Sequence, residues 1–139
     1  MYATSEEVER LVAGFIDCSL PREAWTHDAH LAVAVWHLRR HGTAETLNLV
    51  RARIQRFNMA KGGQNTPSSG YHETLTRFYL WAVARSLEGM PPEADLIEQV
   101  NHVIKECDRE LPRRYYSEER LMSAEARKGW VPPDRQPIS

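Results

Sequence analysis

Five stretches of the sequence repeat apolar residues at every third or fourth position, and this spacing constrains the fold more than any other feature. Such a repeat places the apolar side chains on one face of an α-helix. No segment alternates apolar and polar residues over the length of a strand. The sequence therefore predicts an all-α protein, a compact single-domain bundle of about five main helices with a C-terminal tail of short helices and extended chain.

Turn-forming residues set the predicted helix limits. Thr4 and Thr26 are expected to cap the first two helices, because a threonine hydroxyl accepts a hydrogen bond from a free amide of the first turn. Gly42 separates the second helix from the third, and KGGQNTPSSG at 61–70 is the clearest loop. The tail over 115–139 is expected to pack on the bundle and complete one domain over 1–139. The predicted helices span about 5–19, 27–41, 43–60, 71–88 and 93–109.

Charge and hydropathy exclude several kinds of partner. The net charge of −1 gives no electrostatic reason to expect nucleic acid. The longest apolar run, LAVAV at 31–35, is far too short for a membrane span, and the acidic MYATSEEVER start is unlike a secretory signal. We therefore predict a cytoplasmic protein without a nucleic-acid or membrane partner. The oligomeric state stays open, a homodimer included.

Histidines cluster in WTHDAHLAVAVWHLRRH at 25–41, which holds four of the six in the chain. His27, His30, His37 and His41 follow one another at spacings of three, seven and four. These spacings place them on one stripe of the second predicted helix. The flanking residues are mostly apolar, so the helix is expected to be central and the N-terminal half of the stripe to be buried.

A second polar group, His72 with Glu73, begins the fourth predicted helix. If the first turns of the two helices meet, His27, His30 and His72 form a polar pocket able to hold a divalent metal such as zinc. Asp28 or Glu73 would then act as a further ligand or as a base.

The tail supplies one further candidate. Tyr116 is a hypothetical proton donor if the tail closes over this pocket. The expected chemistry is hydrolysis or acid/base work on a small-molecule ligand.

Two alternatives compete with the metal site. The first is a metal-free enzyme in which His30 and Glu73 exchange protons with the substrate. The second is a non-enzymatic interaction or regulatory domain whose histidines only pack or respond to pH. Either enzyme hypothesis requires His30 and His72 within about 5 Å of each other, and finding them on opposite sides of the bundle would exclude both. An interaction domain allows the histidines to be far apart and predicts an exposed apolar patch.

Sharper motifs are missing. Position 76 is Thr, so His72-Glu73 is not the start of HExxH, and no ExxH pair occurs anywhere. The loop at 61–70 lacks the GK[ST] of a phosphate-binding loop. The serines of that loop lie outside a GxSxG setting. No standard catalytic motif therefore assigns an activity.

Three segments in order resemble a family of small, uncharacterised bacterial helical proteins. These are WTHDAHL at 25–31, GYHETLTRF at 70–78 and YSEERLMSAEARKGWVPPD at 116–134. The proteins of this family share the patterns W-[ST]-H-x-x-H-L, Y-H-E-T-[IL]-T and Y-S-x-E-x-L-x-S-x-x-A-R in this order, and the three segments of this chain are similar to them. The resemblance implies a compact α-helical domain and assigns no catalytic role.

Overall fold

The computed structural model describes residues 1–138, and helices account for all regular structure in that range apart from one bridge between Thr66 and Ser69. The predicted all-α class is confirmed. No helix within residues 1–138 is both long and apolar enough to cross a membrane. The helices are α1 (Ser5–Ile16), α2 (His27–Ala60), α3 (Glu73–Glu88), α4 (Leu96–Glu106), α5 (Glu118–Leu121) and α6 (Ala124–Lys128), with 3-10 turns at Arg22–Ala24 and Leu111–Arg114.

The second and third predicted helices follow each other without a loop within α2, and Gly42 separates them at a kink, as predicted. Gly42 has φ 74° and ψ 176°, a backbone conformation that is essentially restricted to glycine. Below, the N-terminal arm is 27–41 and the C-terminal arm is 43–60. A straight helix would place residues sixteen positions apart at about 24 Å.

The two arms of α2 fold back on each other. The side chains of His37 and Arg53 meet at 2.7 Å across the kink. The rings of Trp25 and Phe57 lie 5.3 Å apart, between centroids. The kink therefore turns one long helical segment into a hairpin with a shared interior.

Helix ends follow the capping residues of the sequence. Thr4 and Thr26 accept hydrogen bonds from the amides of Glu7 and Ala29. Both predicted caps are confirmed. The first helix ends at Ile16 and not at 19, because the chain turns at Cys18, which has φ 64°.

The N-terminal arm of α2 lies in the centre of the bundle, as its apolar composition predicts. It packs against α1, and α2 as a whole also packs against α3 and α4. Leu31, Ala32, Val33 and Val35 are all buried. This central arm carries the histidine stripe. The packing around the arm therefore determines which histidines contact other helices and which line a cavity.

Polar side chains at the start of α3 fasten the C-terminal tail to the bundle. The Thr74 hydroxyl donates to the carbonyl of Gly129 at 2.7 Å and accepts from the amide of Val131 at 3.1 Å. His72 Nε2 donates to the carbonyl of Leu121 at 2.7 Å. The tail is thus a packed layer beside α3.

Candidate functional site

A cavity of about 600 Å³ opens between the two arms of α2, the start of α3 and the loop that joins α2 to α3. This volume is within the usual range for small-molecule sites. Its wall combines apolar and aromatic side chains with a comparable number of polar and charged ones. The apolar part of the wall includes Leu31, Ala34, Val50, Ile54, Leu75 and Leu80.

His27, His30 and His72, the three predicted ligands, all line this cavity. His30 and His72 therefore do not lie on opposite sides of the bundle, the arrangement that would exclude both enzyme hypotheses. Two facts of topology bring them together: Thr26 and His72 cap their helices, and the loop between α2 and α3 returns the chain to the same end of the bundle. The three histidines differ in the hydrogen-bond partners of their ring nitrogens.

His30 has one ring nitrogen without a partner. Its Nδ1 donates to the carbonyl of Thr26 at 2.7 Å, so Nε2 is the acceptor nitrogen of a neutral ring. No hydrogen-bond partner of Nε2 lies within residues 1–138. The ring stacks on Trp25 with centroids 3.7 Å apart.

The environment keeps His30 neutral. His30 is exposed, and its accessible surface opens into the cavity. Desolvation, together with the smaller effect of the charges of His27 and Arg109, lowers the pKa of His30 to about 4. At neutral pH His30 therefore offers a fixed, uncharged hydrogen-bond acceptor to the cavity.

His27 and His72 are held by backbone groups. His27 Nε2 donates to the carbonyl of Cys107 at 2.8 Å, which leaves Nδ1 as its acceptor nitrogen. His72 uses both nitrogens: Nε2 donates to Leu121, and Nδ1 accepts from the amide of Leu75 at 3.1 Å. His72 is thus the N-cap of α3 and a tie to the tail.

The structure provides fewer available metal ligands than the sequence pattern predicts. Within residues 1–138 no three His, Cys, Asp or Glu side chains are grouped so that they could hold one ion. Only His27 Nδ1 and His30 Nε2 remain unused among the ring nitrogens at the cavity. His72 would have to leave both of its backbone partners to bind a metal.

Glu73 lies beside the cavity and not on its wall. Arg51 donates to its two oxygens at 2.9 and 2.6 Å, and the Tyr71 hydroxyl donates at 2.7 Å. The Arg51 guanidinium holds the pKa of Glu73 below its usual range. Glu73 therefore joins α3 to the C-terminal arm of α2, and its carboxylate has no free face toward the cavity.

Tyr116 and the tail also lie away from the cavity. The Tyr116 ring is fully buried, and its hydroxyl donates to the carbonyl of Val131 at 2.7 Å. No residue of 115–138 lines the cavity. The tail therefore does not line the site, although Leu121 and Arg127 hydrogen-bond to His72 and Gly70 of the cavity wall. Asp28 also lies outside the wall.

The sequence analysis did not identify several polar wall residues. Thr76 and Tyr79 lie on the same helical face as His72, so helical spacing contains this signal. Asn58, Lys61, Gln64 and Tyr71 come from the end of α2 and the following loop. No local pattern marks these residues, since a loop enters a site only through its tertiary path.

Comparison with known proteins adds no assignment. No protein-family model matches the sequence, and no curated protein or solved structure is similar to it. The fold and the cavity therefore define the class as an all-α protein with a polar-edged internal cavity.

Proposed function

We propose that this protein binds a small organic molecule in the cavity, with a hydrogen bond from the ligand to His30 Nε2. The observation that carries the proposal is an acceptor nitrogen without a protein partner on the wall of a cavity of about 600 Å³. A polar group of this kind fixes the orientation of a ligand whose body occupies the apolar part of the site.

The state of His30 favours binding over proton abstraction. A general base works best with a pKa near the working pH, whereas that of His30 is lowered to about 4. Its backbone hydrogen bond and its stacking on Trp25 fix the ring. A fixed neutral imidazole selects ligands that present an N–H or O–H group.

A metal site is the second candidate, supported by the shared position of His27, His30 and His72 on one cavity. The unused nitrogens assign His27 and His30 as its first ligands. Elemental analysis after incubation with zinc, on protein without a His-tag, tests this. Stoichiometric zinc that is lost in both His27→Ala and His30→Ala supports the metal site, and its retention in either contradicts it.

The interaction-domain alternative is less well supported. It allows the histidines to be far apart and predicts an exposed apolar surface patch. Instead, three histidines share a cavity, and the exposed large apolar side chains within residues 1–138 are Met1, Met59 and Met122, from three separate segments.

The binding proposal is tested with a neutral fluorescent probe, N-phenyl-2-naphthylamine, which combines an apolar body with one N–H. We expect saturable binding of one probe per protein, followed by its emission in apolar surroundings. Ile54→Trp, which fills part of the cavity, should weaken binding at least tenfold.

Leu47→Trp is the matched control for this test. Leu47 is also half-buried on the C-terminal arm of α2, but it does not line the cavity. Equal binding by both variants, or no saturable binding by the parent protein, would contradict the proposal.

A further inference from the structure

The charged residues on the cavity wall all have the same sign. Arg22, Lys61 and Arg109 line the cavity, and no Asp or Glu within residues 1–138 does. The whole chain has 19 acidic and 18 basic residues, so this imbalance is local. A wall that carries cations without carboxylates is complementary to an anion.

The three cations come from separate parts of the chain. Arg22 lies in the 3-10 turn before α2, Lys61 is the C-cap of α2, and Arg109 follows α4. Arg22 and Arg109 are exposed and Lys61 is half-buried, so they lie where the cavity meets solvent. None of them forms an ion pair within residues 1–138.

Nearby carboxylates are directed to other partners. Asp17, whose pKa is lowered by its hydrogen bonds with Ser19 and by the charges of Arg56 and Lys61, accepts from the amide of Ser19 at 2.9 Å. On either side of Arg109, Asp108 accepts from the amide of Glu110, and Glu110 lies 3.6 Å from Arg113. These carboxylates stay charged and offset part of the positive charge at the opening, but none of them lines the cavity wall, where the three cations lie.

We infer that the ligand of the cavity is an amphipathic organic anion. Its apolar body and hydrogen-bond donor enter the site, and its carboxylate, sulfonate or phosphate stays at the opening beside Arg22, Lys61 and Arg109. The anionic group cannot replace the donor at His30, because the lone pair of Nε2 repels negative charge. This inference rests on the proposed function and specifies its ligand class.

A matched pair of probes separates the charge from the apolar body. The probe 2-anilinonaphthalene-6-sulfonate has the skeleton and N–H of N-phenyl-2-naphthylamine, with a sulfonate at the far end. We expect both to bind one per protein, with the sulfonate tighter by about tenfold at low salt. High salt should reduce that preference, because it screens the exposed cations.

Charge-removing variants locate the anion. Lys61→Gln, Arg22→Gln and Arg109→Gln should each weaken the sulfonate about two- to fivefold and leave the neutral probe within about twofold. Arg114→Gln is the control, since Arg114 is an exposed arginine that does not line the cavity. The Arg114→Gln variant should bind both probes as tightly as the parent protein does.

The outcomes distinguish this inference from the proposed function. If neither probe binds, both fail. If the neutral probe binds as tightly as the sulfonate, or if the cavity variants affect the sulfonate no more than Arg114→Gln does, the anion inference is overturned while small-molecule binding stands.

Discussion

His30 and His37 occupy the same stripe of one helix arm, yet only one of them has a nitrogen free to bind a ligand. Each donates Nδ1–H to the carbonyl four residues earlier, at 2.7 Å. Desolvation lowers the pKa of each to about 4. The difference lies at Nε2: that of His37 accepts from Arg53 at 2.7 Å, whereas that of His30, a residue of the cavity wall, has no hydrogen-bond partner within residues 1–138.

The comparison shows that burial and a lowered pKa do not by themselves mark a functional histidine. His37 is fully buried, and its acceptor nitrogen is satisfied by a residue beyond the kink. Its role is to join the two arms of α2. The unfilled acceptor of His30 distinguishes it as a binding residue, and the predictions below test this separation.

Substitution of His37 and of His30 by phenylalanine should give the largest difference between the two positions in the free energy of unfolding. His37→Phe leaves the charged Arg53 side chain without its acceptor, so we expect a loss of about 3 kcal/mol in the free energy of unfolding. His30→Phe keeps an aromatic ring on Trp25 and should change stability by less than about 1 kcal/mol. Urea unfolding measures both, and equal losses would erase the distinction.

Acid should destabilise the protein mainly through His37. The folded-state pKa is about 4 against an ordinary 6.5, so the unfolded chain takes up a proton in this interval that the folded chain does not. Stability should be complete above about pH 6.5 and should fall by up to about 3 kcal/mol toward pH 4.

Glutamine variants identify the histidine responsible. His37→Gln keeps an acceptor for Arg53 and should flatten this pH dependence in urea unfolding measured across the interval. His30→Gln should have a smaller effect, because its ring is open to solvent in the cavity. An unchanged slope in His37→Gln would assign the dependence to other groups.

Gly42→Ala should disturb both the contact between His37 and Arg53 and the cavity at His30, because the kink at Gly42 sets how the two arms of α2 meet. A Cβ at Gly42 would meet no neighbour within 4 Å, so the cost comes from its backbone conformation alone. We expect a loss of about 2 kcal/mol in the free energy of unfolding.

Gly129→Ala is the matched control for the kink. Its added Cβ also meets nothing within 4 Å, and its φ of −155° suits any residue. Its effect should be below about 0.5 kcal/mol. A loss as large as that of Gly42→Ala would contradict a specific role of the kink.

For probe affinity, we expect a small free-energy change and the opposite order of the two histidines: the His30 variant should lose more affinity than the His37 variant. Loss of one hydrogen bond in His30→Phe should weaken N-phenyl-2-naphthylamine about fivefold, or about 1 kcal/mol. His37→Gln should leave probe affinity unchanged, because His37 does not line the cavity. Fluorescence titration decides this, and a larger loss in His37→Gln would reassign the site.

Much of the fold follows from local patterns. Helical spacing gives the all-α class, and Thr4 and Thr26 act as the caps that their positions predict. Gly42 marks a break, as glycine does in a helical pattern, but the sequence does not indicate that the arms fold back. That geometry depends on the contacts between His37 and Arg53 and between Trp25 and Phe57.

The candidate site is predicted less completely. Spacing places His27 and His30 on one stripe, and His72 joins them only on the assumption that two helix starts meet; the structure brings all three to one cavity. Spacing cannot assign hydrogen-bond partners, so it gives no sign that Glu73 binds Arg51 or that Tyr116 binds Val131. The three cations of the wall carry no shared pattern at all.

The sequence by itself determined the helical class, the caps and the stripe of histidines, because these depend on residues within one or two turns of one another. Only the tertiary structure decided which histidine nitrogen is free, which carboxylate is neutralised and which cations surround the cavity. These properties depend on partners that are distant in sequence, such as Arg53 for His37 and Cys107 for His27. Such partners meet only when the whole chain packs.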